Sequence, residues 1–214
     1  MITSLTADVF STYEALWRRA EHEGALVRYE GISPYGEAGW FHPTYYPKPT
    51  IVLVRPYYKE PDDEPRRESD APAPHPQPDI HAEVITLAHE YGHFVSWSGR
   101  TERTEYELYA AIAKRRDTII DEEFKKMPAG LSRQECNERL RTALHDRLDD
   151  DARDRILREE TLAWQIGREV LTELTLANFE LYDRRTKTGL HNHRYRLGIE
   201  DLCPDDIPEE LSTE

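Results

Sequence analysis

The chain has 214 residues, enough to bury one good-sized core, and carries a formal charge of −14 at pH 7 with an isoelectric point near 5.1. That balance argues against a nucleic-acid partner, because binding phosphate backbones relies on clustered Lys and Arg; here Arg18-Arg19 and Lys114-Arg115-Arg116 are interleaved with acids and read as solvated helix faces. No run approaches the ~18 apolar residues of a membrane span, and the first residues lack a signal peptide's basic start and apolar core, so the expectation is a soluble, cytoplasmic protein with no membrane partner.

Val9, Phe10, Tyr13, Leu16, Trp17 and Ala20 recur at helical spacing, which predicts an amphipathic helix over about 6–23, stopped by Gly24. A Gly, Pro and aromatic stretch follows. The β-branched run "TIVLVRP", Thr50 to Pro56, then predicts a strand, the last of a small sheet. Half of the chain's 14 prolines fall between Pro56 and Pro78, so the segment 57–79 reads as a loop, either a linker or a cover over a cleft. Apolar spacing predicts a helix from Ile80 to Ser98, closed by Gly99.

Two capping-box signatures follow. Thr104 with Glu107 opens a helix expected to reach Met127, and Ser132 with Glu135 opens a third long helix. Another helix is predicted over roughly Ala152 to Asp183, after which "RTKTGLHNHRYRLG" reads as irregular. The acidic end 201–214 reads as a tail. Cys136 and Cys203 form no C-x-x-C pair, so they read as reduced thiols and not as a zinc knuckle.

The stretch "LAHEYGHFVSW" carries the chemistry. On a helix, residues i and i+4 share a face, so His89 and His93 can direct two imidazoles at one ion. Glu90 lies about a quarter turn around the helix. Its carboxylate therefore falls beside the metal, where it can take a proton from a water whose pKa zinc lowers to about 7. Gly92 costs a helix interior about 1 kcal/mol relative to alanine, which implies that something packs very close to the backbone there. Tyr91, Phe94 and Trp97 are expected to pack the core, and His81 to sit at the helix start.

Catalytic zinc usually takes three protein ligands. The extended pattern H-E-x-x-H-x-x-G-x-x-H would need glycine at position 96 and histidine at position 99, but the chain has Ser96 and Gly99. That class is excluded. In "LREETLAWQIGREVL", Glu160, Ala163 and Gly167 share one helical stripe, matching the small pair Ala88 and Gly92 on the histidine helix. Helices with small residues at their contact approach closely, which favours Glu160 as third ligand over Glu159, whose side chain points about 100° away. His145, His191 and His193 remain alternatives.

The succession of the strand "TIVLVRP", the helix "LAHEYGHFV" and the later "ExxAWxIGxxVL" resembles the ImmA/IrrE-type metallopeptidases, a branch of the gluzincins, whose pattern is H-E-x-G-H followed by E-x-x-A-N-x-F-A. The resemblance covers about the middle half of the chain. Trp164 stands where that family has asparagine, and the interval from His93 to Glu160 is longer and holds two additional predicted helices. The resemblance implies a Zn2+ site made by His89, His93 and Glu160, with Glu90 as general base.

The resulting expectation is an α+β, zincin-like fold, mainly helical, with a small N-terminal sheet before the H-E-x-x-H helix. It forms a single domain over 1–200, with the Pro-rich loop at 57–79 and a helical insertion at about 101–150. The expected activity is zinc-dependent hydrolysis of a peptide bond in a peptide or protein substrate. His193 and Tyr195 are candidates for stabilising the oxyanion. Strand Ile51 to Val54 is a candidate edge for an extended substrate. A regulatory protein partner is compatible with the helical insertion. The alternative is a non-catalytic zincin-like binding or regulatory protein that uses the insertion as its interaction surface.

Overall fold

The run that reads as the best strand is sealed from solvent at Thr50, Ile51, Val52 and Leu53, on both faces. Alternate residues of a strand point to opposite sides, so burial of the whole run places it in the interior of a sheet. The computed structural model describes residues 2–30, 38–43, 48–54, 80–99, 103–128, 130–176 and 178–200. The predicted loop 57–79 and tail 201–214, with Cys203, lie outside them.

The described residues fall into two compact units, Met1–Ser98 with Ala163–Asn178, and Gly99–Leu162 with Phe179–Glu214. The first begins with helix α1 (Ile2–His22), closed by Gly24 at φ +104°, followed by strands β1 (Leu26–Glu30), β2 (Gly39–His42) and β3 (Thr50–Val54) and helix α2 (Ile80–Ser98). Sheet order is β1-β3-β2. β1 runs parallel to β3 with Leu26 opposite Thr50, and β2 runs antiparallel to it with Gly39 opposite Leu53. The last strand in sequence is thus the middle strand in space. Both its edges are taken, so β3 offers no edge to an added peptide, contrary to the expectation; among the described residues the outer strands are β1 and β2.

α2 packs on α1, β2 and β3. Along α1 the buried stripe is Val9, Tyr13, Leu16 and Ala20, while Phe10 turns outward with half of its surface exposed. Polar ties join the same elements. The Tyr91 hydroxyl donates to Glu23 Oε2 at 2.6 Å, and Arg19 Nη1, which pairs with Glu173 Oε2 at 2.5 Å, lies on a guanidinium 5.8 Å from the Tyr91 ring centre. Burial, and then the bond to Glu23, push the Tyr91 hydroxyl above its ordinary pKa. The Tyr29 hydroxyl donates to the buried Glu83 carboxylate at 2.9 Å and meets the Tyr13 hydroxyl.

The second unit holds α3 (Arg103–Lys126), α4 (Arg133–Arg147), the first part of α5 (Asp150–Glu173) and α6 (Glu180–Arg196). Ile119, Leu144, Leu148, Ala152, Ile156 and Leu197 form its core. The Ser132 capping box is present: the Glu135 N–H donates to Ser132 Oγ at 3.2 Å, and the Ser132 N–H donates to Glu135 Oε2 at 2.8 Å. Thr104 lies within α3, and its side chain is outside the described set.

Helix α5 runs from Asp150 to Glu173. It ends at Glu173, ten residues before the expected Asp183, where Thr175 takes φ 61° and the Leu176 N–H reaches back to Leu171 O at 3.0 Å. This is a left-handed helix stop made without glycine. The stretch read as irregular is helix α6. Its first turn is acidic (Glu180, Asp183) and its last basic (His193, Arg194, Arg196), as the helix dipole favours. Its buried anchors are Tyr182 and Tyr195. The described residues are mostly helical with a small three-stranded sheet, and no described helix is long and apolar enough to cross a membrane.

Candidate metal centre

The middle of α2 is lined by buried Val84, Leu87, Ala88, Tyr91 and Phe94, which fix the helix against its neighbours and hold His89 and His93 one turn apart. Their ring centres are 4.8 Å apart and their planes 76° from parallel, so the two imidazoles converge edge to face. His93 is buried and His89 half-buried. The Trp164 indole stacks on His89 with centroids 4.1 Å apart and planes 28° from parallel.

What brings α5 so near is the absence of a side chain at Gly92. A Cβ there would come 2.8 Å from the Ala163 carbonyl carbon, 2.9 Å from its Cα and closer still to its oxygen. Ala88 and Ala163 are fully buried, and Gly167 is buried one turn further along α5. The small-residue contact expected from the sequence is therefore present, and the 3.6-residue repeat of α5 carries Glu160 one turn before Ala163.

Donor atoms of His89, His93 and Glu160 all lie within 4.8 Å of one another. Tetrahedral ligation with bonds of ~2.0–2.1 Å sets donors roughly 3.3 Å apart, a spacing that falls within the 4.8 Å span of this group. Two imidazoles and a carboxylate form a borderline donor set that suits zinc. Glu159 is as buried as Glu160 but does not belong to this group.

Glu90 is also buried, and its stem runs toward the sheet: a Cβ on Gly39 would come 3.3 Å from Glu90 Cγ and 2.8 Å from Thr86 Cγ2. The glycine that opens β2 thus lets α2 settle on that strand beside Glu90. Tyr91 and Phe94 are core residues as expected, and half-buried Trp97 packs against Phe41 and Phe94.

The candidates near the C-terminus separate. His193 Nε2 lies 3.4 Å from Glu160 Oε2, whereas Tyr195, two residues on and hence on the opposite side of α6, is buried under the Arg141 guanidinium at 5.4 Å. His191 pairs with Glu200. His145 packs on Gly198 and sits near Asp146. His81 lies in the first turn of α2.

Sequence reasoning missed Arg116, which it placed on a solvated face. Its side chain is only 20% exposed, bonded to Asp117 at 2.9 Å and 4.0 Å from Glu160 Oε1. A signal existed: Ile112, Arg116 and Ile119 follow the i, i+4, i+7 spacing of an inward stripe, which puts Arg116 in line with core residues. The stacking of Trp164 had no comparable signal. No protein-family model, no curated protein and no solved structure matches the chain.

Proposed function

We propose that the protein is a zinc-dependent metallopeptidase, zincin-like in fold and resembling the ImmA/IrrE-type gluzincins, that hydrolyses a peptide bond in a peptide or protein substrate. The observation that carries this reading is the convergence of His89, His93 and Glu160 donors within 4.8 Å. The close Gly92–Ala163 contact supports it, because it holds the α5 main chain against α2 one turn from Glu160.

His89, His93 and Glu160 would hold the ion. Bound zinc supplies Lewis acidity, polarising a carbonyl and lowering the pKa of water to about 7. Glu90 is the proton carrier in this reading: its carboxylate takes a proton from the attacking water and delivers it to the departing amine. Its burial beside Gly39 keeps the side chain in place without occupying the ligand group. Since β3 lies inside the sheet, an extended substrate would add instead to β2, an outer strand among the described residues, at whose Gly39 a Cβ would come 3.3 Å from Glu90 Cγ.

The test uses the purified full chain, with zinc content and cleavage of an unstructured protein such as casein measured together. Wild type should hold about one zinc per chain and cleave. Glu90→Gln should keep the zinc and lose at least ~100-fold in rate, the scale of general-base catalysis. Full cleavage by that variant would sink the assigned role, and a zinc-loaded wild type that cleaves nothing would favour a binding protein.

A further inference from the structure

We infer that Arg116, on helix α3, is a positioning residue that holds the Glu160 carboxylate in the orientation a metal ion needs. The inference rests on the metal reading of Glu160 proposed above. It also gives the helical insertion a role at the metal site, beside the interaction surface expected from the sequence.

The Glu160 side chain is 6% exposed, so its carboxylate has little access to water, and a buried charge persists only when it is paired or hydrogen-bonded. Its two oxygens are approached from different helices. Arg116 Nη1 lies 4.0 Å from Oε1, and His193 Nε2, from α6, lies 3.4 Å from Oε2. A carboxylate that ligates zinc through one oxygen leaves the other for a neighbour, and such neighbours fix both the ligand's orientation and its charge. The two partners therefore do different jobs. His193 stands by Oε2. Arg116 draws Oε1 the other way and sets the rotation of the carboxylate plane.

Arginine suits that position because its guanidinium keeps its charge at any physiological pH. Its own freedom is limited as well. Asp117 Oδ1 accepts from Arg116 Nη2 and Nε, each at 2.9 Å, and the residue lies on the inward stripe with Ile112 and Ile119. A partly buried guanidinium set between two carboxylates is more than the solvated surface charge its neighbours in sequence suggest.

The experiment is zinc affinity of the purified full chain by competition with a chelator, for wild type, Arg116→Gln, Arg116→Lys and His89→Ala. Loss of an outer partner of a metal ligand typically weakens binding about 10- to 100-fold. Arg116→Gln should fall in that range, with Arg116→Lys between it and wild type, because lysine restores the charge but not the fork. The visible spectrum of the cobalt-substituted protein should shift in Arg116→Gln, which a purely structural role would not produce. Wild-type affinity in Arg116→Gln, with binding abolished in His89→Ala, overturns the inference and leaves the metal reading standing. If wild type binds no zinc, or His89→Ala binds as wild type does, the metal reading fails first and this inference falls with it. Should Arg116→Gln not fold, Arg116→Lys decides: weakened binding supports the inference and unchanged binding overturns it.

Discussion

The main chain of Ala163 occupies the space that a side chain on Gly92 would need. Two opposing effects meet at that position. Alanine is the better helix former by about 1 kcal/mol, which would stabilise α2 on its own. Overpacking a well-filled contact costs typically about 1–3 kcal/mol, and here the atoms in the way are backbone, which cannot swing aside as a side chain can. The second effect wins. Gly92→Ala should lower stability by about 1–2 kcal/mol in a urea titration and weaken zinc binding at least ~10-fold, because separating α2 from α5 moves Glu160 from the histidines. A variant as stable as wild type with unchanged zinc affinity would mean that the helices tolerate a wider gap than the contact implies.

Ser132 offers a prediction independent of any metal. Its N–H, and next its hydroxyl, hold the Glu135 carboxyl below the ordinary 4.5 of a glutamate. A carboxyl depressed in the folded state contributes stability above its unfolded pKa, and that contribution is lost as pH falls through the folded value. Ser132→Ala removes the hydroxyl that accepts from the Glu135 N–H, a loss of about 1 kcal/mol at neutral pH, the usual worth of a serine N-cap. The gap between variant and wild type should narrow on acidification below pH 4.5. Melting curves at pH 7 and pH 3 check this, and a gap that widened at pH 3 would contradict the assignment.

Features that could be read from the sequence are those set by neighbours along the chain. The bounds of α2, the Ser132 cap and the strand at Thr50–Val54 each depend on residues within a few positions. The approach of α5 to α2 was legible for a further reason: Ala88, Gly92, Ala163 and Gly167 have few uses other than close contact. Features that escaped depend on distant partners or lack a local marker. β3 looks like a last strand, but its parallel pairing with β1 places it in the middle. The end of α5 has Thr175 in a left-handed turn where glycine would have announced the stop. In α6, Tyr182 and Tyr195 are too widely spaced to mark a helical face. Arg116 was masked by adjoining Lys114 and Arg115, although its spacing from Ile112 and Ile119 carried the information.

Trp164 should prove to be the residue that fixes the His89 ring. The indole covers one face of the imidazole at 4.1 Å, and its neighbour Ala163 is pinned against Gly92, so the stacking surface has little freedom to move. Aromatic contacts of this kind contribute roughly 0.5–1.5 kcal/mol beyond area burial, enough to select one ring orientation among several. Trp164→Ala removes the ring stacked on this half-buried histidine and opens that face to water. Zinc affinity should then fall about 10-fold, the scale expected when support around a ligand is removed. Trp164→Phe keeps an aromatic face and should retain most of the affinity. Cobalt titration supplies a second measurement: with four tryptophans in the chain, the largest share of metal-dependent quenching should disappear in Trp164→Phe. Equal zinc affinity in wild type and Trp164→Ala would show that the α2 backbone alone orients His89. An undiminished quench in Trp164→Phe would place the ion away from this stack and, with it, away from His89.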